Sequence, residues 1–335
     1  MKDKVFIIAE MSANHNHNFD LAVKTIEAMA EAGADAVKFQ TYKPDSLTLN
    51  VDNEYFGPRE SGLWKGMTLY DIYTEGSMPY EWQPRLKKIA NDLGLICFST
   101  PFDMEGVDFM EEMQMPIYKI ASLEITDINL IGYAASKNKP MIISTGVATI
   151  EDIELAISTC KKAGNNDITL LKCTTEYPAP IEKANLLTIS DMKDRFNVNV
   201  GVSDHSMTNT IPITSVALGA TVVEKHFIID RALGGLDSAF SLNKDEFKAM
   251  VIAIRDTEKA LGKISYDLEG RGVTGRRSLF ASEDIKAGEL FTQYNVKSVR
   301  PAAGLHPMYY NEILGKHAVS DIRKGDPLKL NDIRA

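Results

Sequence analysis

The sequence predicts an α/β fold: a (β/α)8 TIM barrel followed by a small β-rich domain. Three observations carry this. Eight short β-rich apolar runs alternate with helix-like segments through Gly262. Every run ends in polar residues. The alternation then stops, and the Gly- and Arg-rich stretch "YDLEGRGVTGRRS" leads into short β-like pieces.

The runs are VFIIAE (5–10), AVKFQ (36–40), LICFST (95–100), IYKIAS (117–122), MIISTG (141–146), ITLLKCT (168–174), VNVGVSD (198–204) and TVVEKHF (221–227). Between and after them lie segments such as "DLAVKTIEAMAEAGA", "PYEWQPRLKKIANDLG", "TIEDIELAISTCKKAG", "NTIPITSVALGA" and "NKDEFKAMVIAIRDTEKALG". Their apolar residues recur at i, i+3 and i+4, and several end on Gly, as helices do. A doubly wound open sheet is the competing architecture, but no GxGxxG follows the first run. The connection from Tyr42 to about Met78 is too long for a simple βα loop. It carries Trp64, Tyr70 and Tyr73 and reads as a lid. Met104, Met110, Met113 and Met115 read as core filling. The boundaries that follow are a barrel over 1–265, a linker over 266–278 and a β-rich domain over 279–335, with repeated "IKAGE" and "IRKGD" turns. A domain of that size is marginal alone and gains from docking.

Composition narrows the class. Of 335 residues, 44% are hydrophobic and 25% charged, which suits a globular protein with a large core. No apolar stretch approaches the roughly 20 residues that span a bilayer. The N-terminal apolar run is too short for a signal peptide, and Glu10 interrupts it. Cys97, Cys160 and Cys173 show no CxxC spacing and read as reduced thiols of a cytoplasmic protein. The net charge of -9 argues against nucleic acid as a partner. Residues 271–335 carry 11 basic and 7 acidic residues, so a basic tail accompanies an acidic body. It can dock on that body in the same chain or a partner chain, or remain solvated.

In a barrel the site lies at the C-terminal strand ends. Read in order, these deliver Glu10 with Asn14 and His15 beyond; Lys38 and Gln40; Ser99, Thr100 and Phe102; Lys119, then Ser122 and Glu124; Ser144, Thr145 and Gly146; Thr174 and Thr175 with Tyr177 beyond; Ser203, Asp204 and His205; and Glu224, Lys225 and His226. Parallel strands covered on both faces should be almost wholly apolar, so Lys38 and Lys119 need a reason. A buried Lys–Glu pair is one. Two cations aimed inward at an anionic substrate is the reading adopted here. His205 and His226 end adjacent strands, where two imidazoles can share a divalent cation and leave positions for substrate and water. A hydrogen-bonded core histidine is the plainer alternative for each. No cysteine is expected near them, and the residues alone leave Mn²⁺, Mg²⁺, Co²⁺ and Zn²⁺ open. The hydroxyls of Thr100, Ser122, Ser144, Thr145, Thr174, Thr175 and Ser203, grouped with the two lysines, can hold a phosphate and a carboxylate. In "EMSANHNHNF", Asn14 and His15 are expected to shape the mouth, while His17 and Asn18 enter the next helix, with Asn18 or Asp20 as its cap.

The motifs "AExSxNHN…GADAVKFQTY", "FSTPFD", "YKIAS-E", "ISTG", "KCTxxYP", "GxSDHS", "GAxxxEKHF" and "SVRPAxGLHP" resemble the sialic acid synthase family, in order and over nearly the whole chain. Within it, "AEMSANH" is most similar to the branch that makes pseudaminic acid; the sialic and legionaminic branches more often carry Gly-x-Asn-His. The resemblance implies condensation of phosphoenolpyruvate with an N-acyl amino sugar, 2,4-diacetamido-2,4,6-trideoxy-L-altrose in that branch, giving a nine-carbon sugar acid and phosphate. N-acetylneuraminic or legionaminic acid synthesis is the alternative. It also implies a cytoplasmic homodimer whose C-terminal antifreeze-like (SAF) domain is swapped onto the partner's barrel, with no membrane or nucleic acid involved. His205 and His226 match the metal-binding histidines, for Mn²⁺ ahead of Mg²⁺ or Co²⁺. Lys38, Thr100, Lys119, Ser122, Ser144, Thr145, Thr175 and Ser203 match the phosphoenolpyruvate site, with Thr175 where the family often has Asn. Glu124, Lys119, Lys38 and Glu10 match catalytic positions, Glu124 beside the attacking water. Glu10, Gln40, Tyr177, Asp237 and Arg300 match sugar-binding positions, Arg300 reaching from the partner's small domain to an N-acyl group.

Overall fold

The computed structural model describes residues 4–268 and 270–335; Glu269, in the expected linker, lies outside them. The chain divides into two compact units, Met1–Gly262 and Lys263–Ala335. The first is a closed parallel barrel in which each strand pairs with the next in sequence and the eighth returns to the first. Its strands are β1 (Phe6–Glu10), β2 (Ala36–Thr41), β3 (Ile96–Pro101), β4 (Tyr118–Ile120), β5 (Met141–Ser144), β6 (Ile168–Cys173), β7 (Asn199–Asp204) and β8 (Val222–His226). Among the described residues no helix is long and apolar enough to cross a membrane.

Strand periodicity explains how an apolar sequence builds a polar mouth. Side chains two apart share a face. One parity of each strand faces the helices and joins the main core: Ile7 and Ala9, Val37 and Phe39, Ile143, Leu170, Val202 and Val223. The other parity fills the barrel. Ile8, Ala36, Phe98, Ile142, Leu171 and Val222 form a separate buried cluster, the barrel floor. Two residues further along the same strands stand Glu10, Lys38, Thr100, Ser144, Cys173 and Glu224, all buried. The floor is apolar, and the layer above it is polar and charged.

The helices start where their caps dictate. Asn18 caps Phe19–Glu31 by accepting from the Leu21 N–H at 3.0 Å, and Asp20 sits in the first turn. Reciprocal capping boxes open Ile150–Lys162, from Thr149 and Asp152, and Lys244–Leu261, from Asn243 and Glu246. The connection after β2 contains two short helices, Pro44–Leu47 and Leu69–Gly76. Of the four methionines assigned to the core, Met110, Met113 and Met115 are buried, but Met104 is 48% exposed. It occupies the first position of its helix, right after the Asp103 cap, where the turn points outward.

The second unit pairs β9 (Ser278–Ala281) with β10 (Val296–Val299) and β11 (His317–Ala318) with β12 (Ile333–Arg334), both antiparallel. Its own core contains Leu279, Phe291, Val296, Ile313 and Leu328. The "IKAGE" and "IRKGD" turns face each other through an antiparallel bridge between Ile285 and Ile322.

Gly201 marks the tightest approach in the barrel wall. A Cβ there would fall on the Val222 carbonyl oxygen and 2.7 Å from Leu171 Cδ2. Gly201→Ala is therefore expected to destabilise the barrel by about 1–3 kcal/mol, read as a fall in melting temperature. An unchanged Tm would mean that β7 and β8 can separate without loss.

Candidate active site

The polar layer is held together by charge. Glu10 lies opposite Lys38 on β2 and His226 on β8. Lys38 Nζ pairs with Glu10 Oε2, donates to Thr100 Oγ1 at 3.1 Å and lies 3.8 Å from Glu224 Oε2. Lys119 Nζ donates to Ser144 Oγ at 2.7 Å and lies 3.9 Å from Glu224 Oε1. Ser203 Oγ donates to the same Glu224 oxygen at 2.9 Å. Of the two readings offered for the lysines, the buried Lys–Glu pairing is what the structure shows. The lysines point into the barrel, and they are paired there with buried carboxylates.

Burial and neighbours pull these groups in different directions. Burial pushes the Glu10 carboxyl up to about 7, against the pull of Lys38. Burial also raises Glu224, but Lys119, Lys38 and Ser203 outweigh it and hold that carboxyl below its usual value. Burial lowers Lys119, whereas Lys38, equally buried, is held above its usual value by Glu10 and Glu224. Two lysines and two carboxylates thus share one buried layer, with Lys38 the more strongly held cation and Glu224 the more strongly held anion.

A second group gathers beyond β4, β5 and β6. The Gly146 N–H donates to Ser122 Oγ at 3.1 Å. A Cβ at Gly146 would fall on Thr175 Oγ1 and 2.9 Å from Ser122 Oγ, so only glycine lets these hydroxyls converge. Thr145 turns away, its hydroxyl donating to the Leu171 carbonyl at 3.1 Å. Thr174 likewise bonds the Lys183 carbonyl at 3.3 Å. Glu124 closes a single 3-10 turn, Ser122–Glu124, and its Oε2 is buried with no hydrogen-bond partner among the described residues.

His205 and His226 come together, with ring centroids 5.2 Å apart. His205 Nδ1 lies 3.0 Å from the Thr174 carbonyl oxygen, which makes Nδ1 the N–H donor; against burial, Cys173 and this carbonyl hold the imidazole above its ordinary value. His226 Nδ1 is buried without a hydrogen-bond partner among the described residues, 3.9 Å from Asp237 Oδ2. Burial, then His205, push the His226 imidazole well below its ordinary value, toward the neutral form a metal needs. Among the described residues, no three His, Cys, Asp or Glu converge as a metal cluster. The pair fits a cation that takes two protein nitrogens and leaves its other positions open. One expectation is corrected here. Cys173 does lie near, its Sγ 3.9 Å from His205 Nδ1, because strand parity puts Cys173 in the inward layer.

The remaining predicted residues ring the mouth. Tyr177 packs on His205 at 4.4 Å and on Phe240 at 4.9 Å. Trp64, from the long connection, lies over Tyr177 and donates to the Leu236 carbonyl at 3.2 Å. Gln40 Nε2 donates to Ser12 Oγ at 3.0 Å, and the Ala13 N–H donates to Asp237 Oδ2 at 3.3 Å. Asn14 ties this loop to the Phe227 carbonyl and to Ser241 Oγ, at 2.9 and 2.8 Å. His15 is buried edge-on against Trp82. Arg300 belongs to the second unit, where it is exposed just past β10. Sequence reasoning left Glu224 without a role, although a two-residue step back from His226 places it on the same inward face.

These features match a known family over most of the chain. Residues 25–266 match the NeuB family, and residues 276–334 match the SAF domain. The chain belongs to the NeuB family. A protein of Campylobacter jejuni named pseudaminic acid synthase is 49% identical, covering 99% of this chain and 97% of that one. A Helicobacter pylori protein of the same name is 43% identical, covering 98% and 97%. Among solved structures, the N-acetylneuraminic acid (sialic acid) synthetase of Leptospira borgpetersenii superposes with a TM-score of 0.72 at 31% identity, covering 80% of this chain and 88% of that one. Family membership thus agrees with both the barrel and the small C-terminal domain.

Glu124 gives a pH test of the site. Burial, against the pull of Lys119, pushes its carboxyl from 4.5 up to about 7. The raised value favours folding at low pH. That stability is lost as the pH rises from about 4.5 to about 7, because the unfolded chain releases the proton first. In Glu124→Gln the Tm should fall less across that window than in the unaltered protein. Parallel Tm profiles would show that Glu124 is already ionised in the folded barrel.

Proposed function

We propose that this chain is a pseudaminic acid synthase, condensing phosphoenolpyruvate, 2,4-diacetamido-2,4,6-trideoxy-L-altrose and water to pseudaminic acid and phosphate. The observation that carries the chemistry is the pair of inward lysines, Lys38 and Lys119, beside the hydroxyls of Thr100 and Ser144. The relatives that share 43–49% of the sequence over nearly the full chain support the choice of sugar.

The residues divide the reaction between them. Lys38, Thr100, Lys119, Ser144 and Ser203 hold the phosphoenolpyruvate anion by charge-assisted hydrogen bonds. Ser122, Thr175 and the Gly146 N–H form the narrow end of that cradle. Thr145 braces the cradle from behind, since its hydroxyl and its backbone N–H both donate to the Leu171 carbonyl. Glu10, Gln40, Tyr177 and Asp237 orient the open-chain sugar so that its aldehyde carbon faces C3 of phosphoenolpyruvate. The C2=C3 π pair of phosphoenolpyruvate forms the new C–C bond, the aldehyde π pair moves onto its oxygen, which takes a proton from solvent, and the electron deficiency passes to C2. Water adds to C2 and gives up a proton to Glu124, whose raised affinity for protons suits a general base. The C2–O bond to phosphate then breaks and phosphate departs. His205 and His226 would hold a divalent cation, Mn²⁺ in our reading, which would polarise the aldehyde oxygen when bound.

The assembly is a cytoplasmic homodimer in which each small domain serves the partner's barrel and supplies Arg300 to an N-acyl group. Ile264 and Tyr266, in the segment past Gly262, are 91% and 95% exposed in the single chain, apolar surface that a partner would cover. Buried free thiols at Cys97, Cys160 and Cys173 suit a reducing compartment.

The decisive assay is phosphate release from phosphoenolpyruvate with Mn²⁺, comparing the diacetamido-trideoxy-altrose with N-acetylmannosamine. Strong preference for the first is expected; preference for the second overturns the choice of sugar. EDTA should abolish release, and His226→Ala should stay folded yet lose metal-dependent turnover. Full activity in either case removes the metal assignment. Arg300→Ala should raise the sugar KM about tenfold or more, as expected for a charge-assisted hydrogen bond of about 1.5–3 kcal/mol. Mixed dimers of Arg300→Ala and His226→Ala should regain activity, because one barrel per dimer then has every group. No recovery would refute the swap.

A further inference from the structure

Ser12 lies just past β1, is 5% exposed and has φ +47°. A non-glycine residue in the left-handed region persists only where its surroundings over-determine it. Here they do. The Ser12 N–H donates to Glu10 Oε1 at 2.8 Å, and its hydroxyl accepts from Gln40 Nε2 at 3.0 Å. The next amide, Ala13, donates to Asp237 Oδ2 at 3.3 Å. Burial holds the Asp237 carboxyl above its usual value, and the Ser12 hydroxyl and this amide oppose that rise. One turn of chain thus meets groups from β1, from β2 and from the segment after β8. These are three of the four barrel groups assigned above to the sugar. Among the groups assigned to phosphoenolpyruvate, Lys38 bonds Thr100 and Lys119 bonds Ser144, and Lys38 reaches the sugar set only through Glu10.

We infer that Ser12 is the positioning residue of the sugar pocket: its strained turn and its hydroxyl set the spacing of Glu10, Gln40 and Asp237, and thereby which amino sugar fits. This rests on the function proposed above. The hydroxyl commits one Gln40 amide hydrogen, so Gln40 meets the sugar in a fixed orientation. Such fixing matters because a displacement of about 1 Å in a positioning group can cost about a hundredfold in rate.

The test compares Ser12→Ala and Ser12→Gly with the unaltered enzyme, measuring KM and kcat for each substrate together with Tm. Both variants should raise the sugar KM about tenfold or more while the phosphoenolpyruvate KM stays within about twofold. Ser12→Gly relieves the backbone strain as it loses a hydrogen bond, so its Tm should stay within about 4 °C. An unchanged sugar KM in both variants overturns the inference. So does a parallel rise in both KM values with a fall in Tm, the mark of a merely structural role. If the unaltered enzyme uses N-acetylmannosamine instead, the proposed sugar fails, and the same KM comparison on that substrate still tests Ser12. A crystal structure of Ser12→Gly decides independently of any sugar. Displaced Gln40 and Asp237 side chains support the role, and unmoved ones refute it.

Discussion

The barrel interior must accommodate two lysine ammonium groups directly above an apolar floor. Unpaired, they would be prohibitively costly there. Glu224 answers both from a single position, with Ser203 holding one of its oxygens. Glu10 answers Lys38 from the adjacent strand. Much else follows from this arrangement. The four strands β1, β2, β4 and β8 must keep a fixed stagger for the charges to meet, and the pairing of Glu10 with both Lys38 and His226 records that stagger. An arriving anion meets lysines already engaged by carboxylates, and those carboxylates are its competitors.

The outward face of the same strands does complementary work. Lys225, between Glu224 and His226, points away from the cavity and pairs with Asp204 at 2.5 Å while also meeting the Ser206 carbonyl. Each partner in that pair is the chain neighbour of one of the two histidines. The pair ties the ends of β7 and β8 together from behind, so the imidazoles need little support from in front. Breaking a buried pair of this kind leaves a lone charge in the core, which is strongly destabilising. The mouth above is held more lightly. Trp64 reaches the rim through one hydrogen bond to Leu236 and His17 through one contact with the Thr74 carbonyl, as suits a cover that must admit a sugar.

Strand number, strand order and the inward lysines were legible in the sequence because all depend on period-two patterning, which survives without any knowledge of contacts. The histidine pair was legible for the same reason, since both residues end strands that a barrel makes adjacent. What was hidden depends on three-dimensional closure. Cys173 looked remote from His205 along the chain but is its neighbour across β6 and β7. Met104 sat in an apolar rhythm but fell at a helix start, where no partner covers it. Thr145 looked equivalent to Ser144 along the chain, but its hydroxyl is claimed by the Leu171 carbonyl on the next strand. The left-handed turn at Ser12 left no trace, because serine does not announce a positive φ as glycine does.

The alternation along β8 has an evolutionary corollary. Five residues carry two interleaved sets of duties, with Glu224 and His226 serving the cavity and Lys225 bracing the wall. Slipping the strand by one position would exchange the two sets wholesale. Point substitutions can tune such a strand, but insertions and deletions cannot pass through it. Adaptation to new sugars is therefore channelled into the loops beyond the strand ends, where length is free to vary while the charged layer beneath stays as it is.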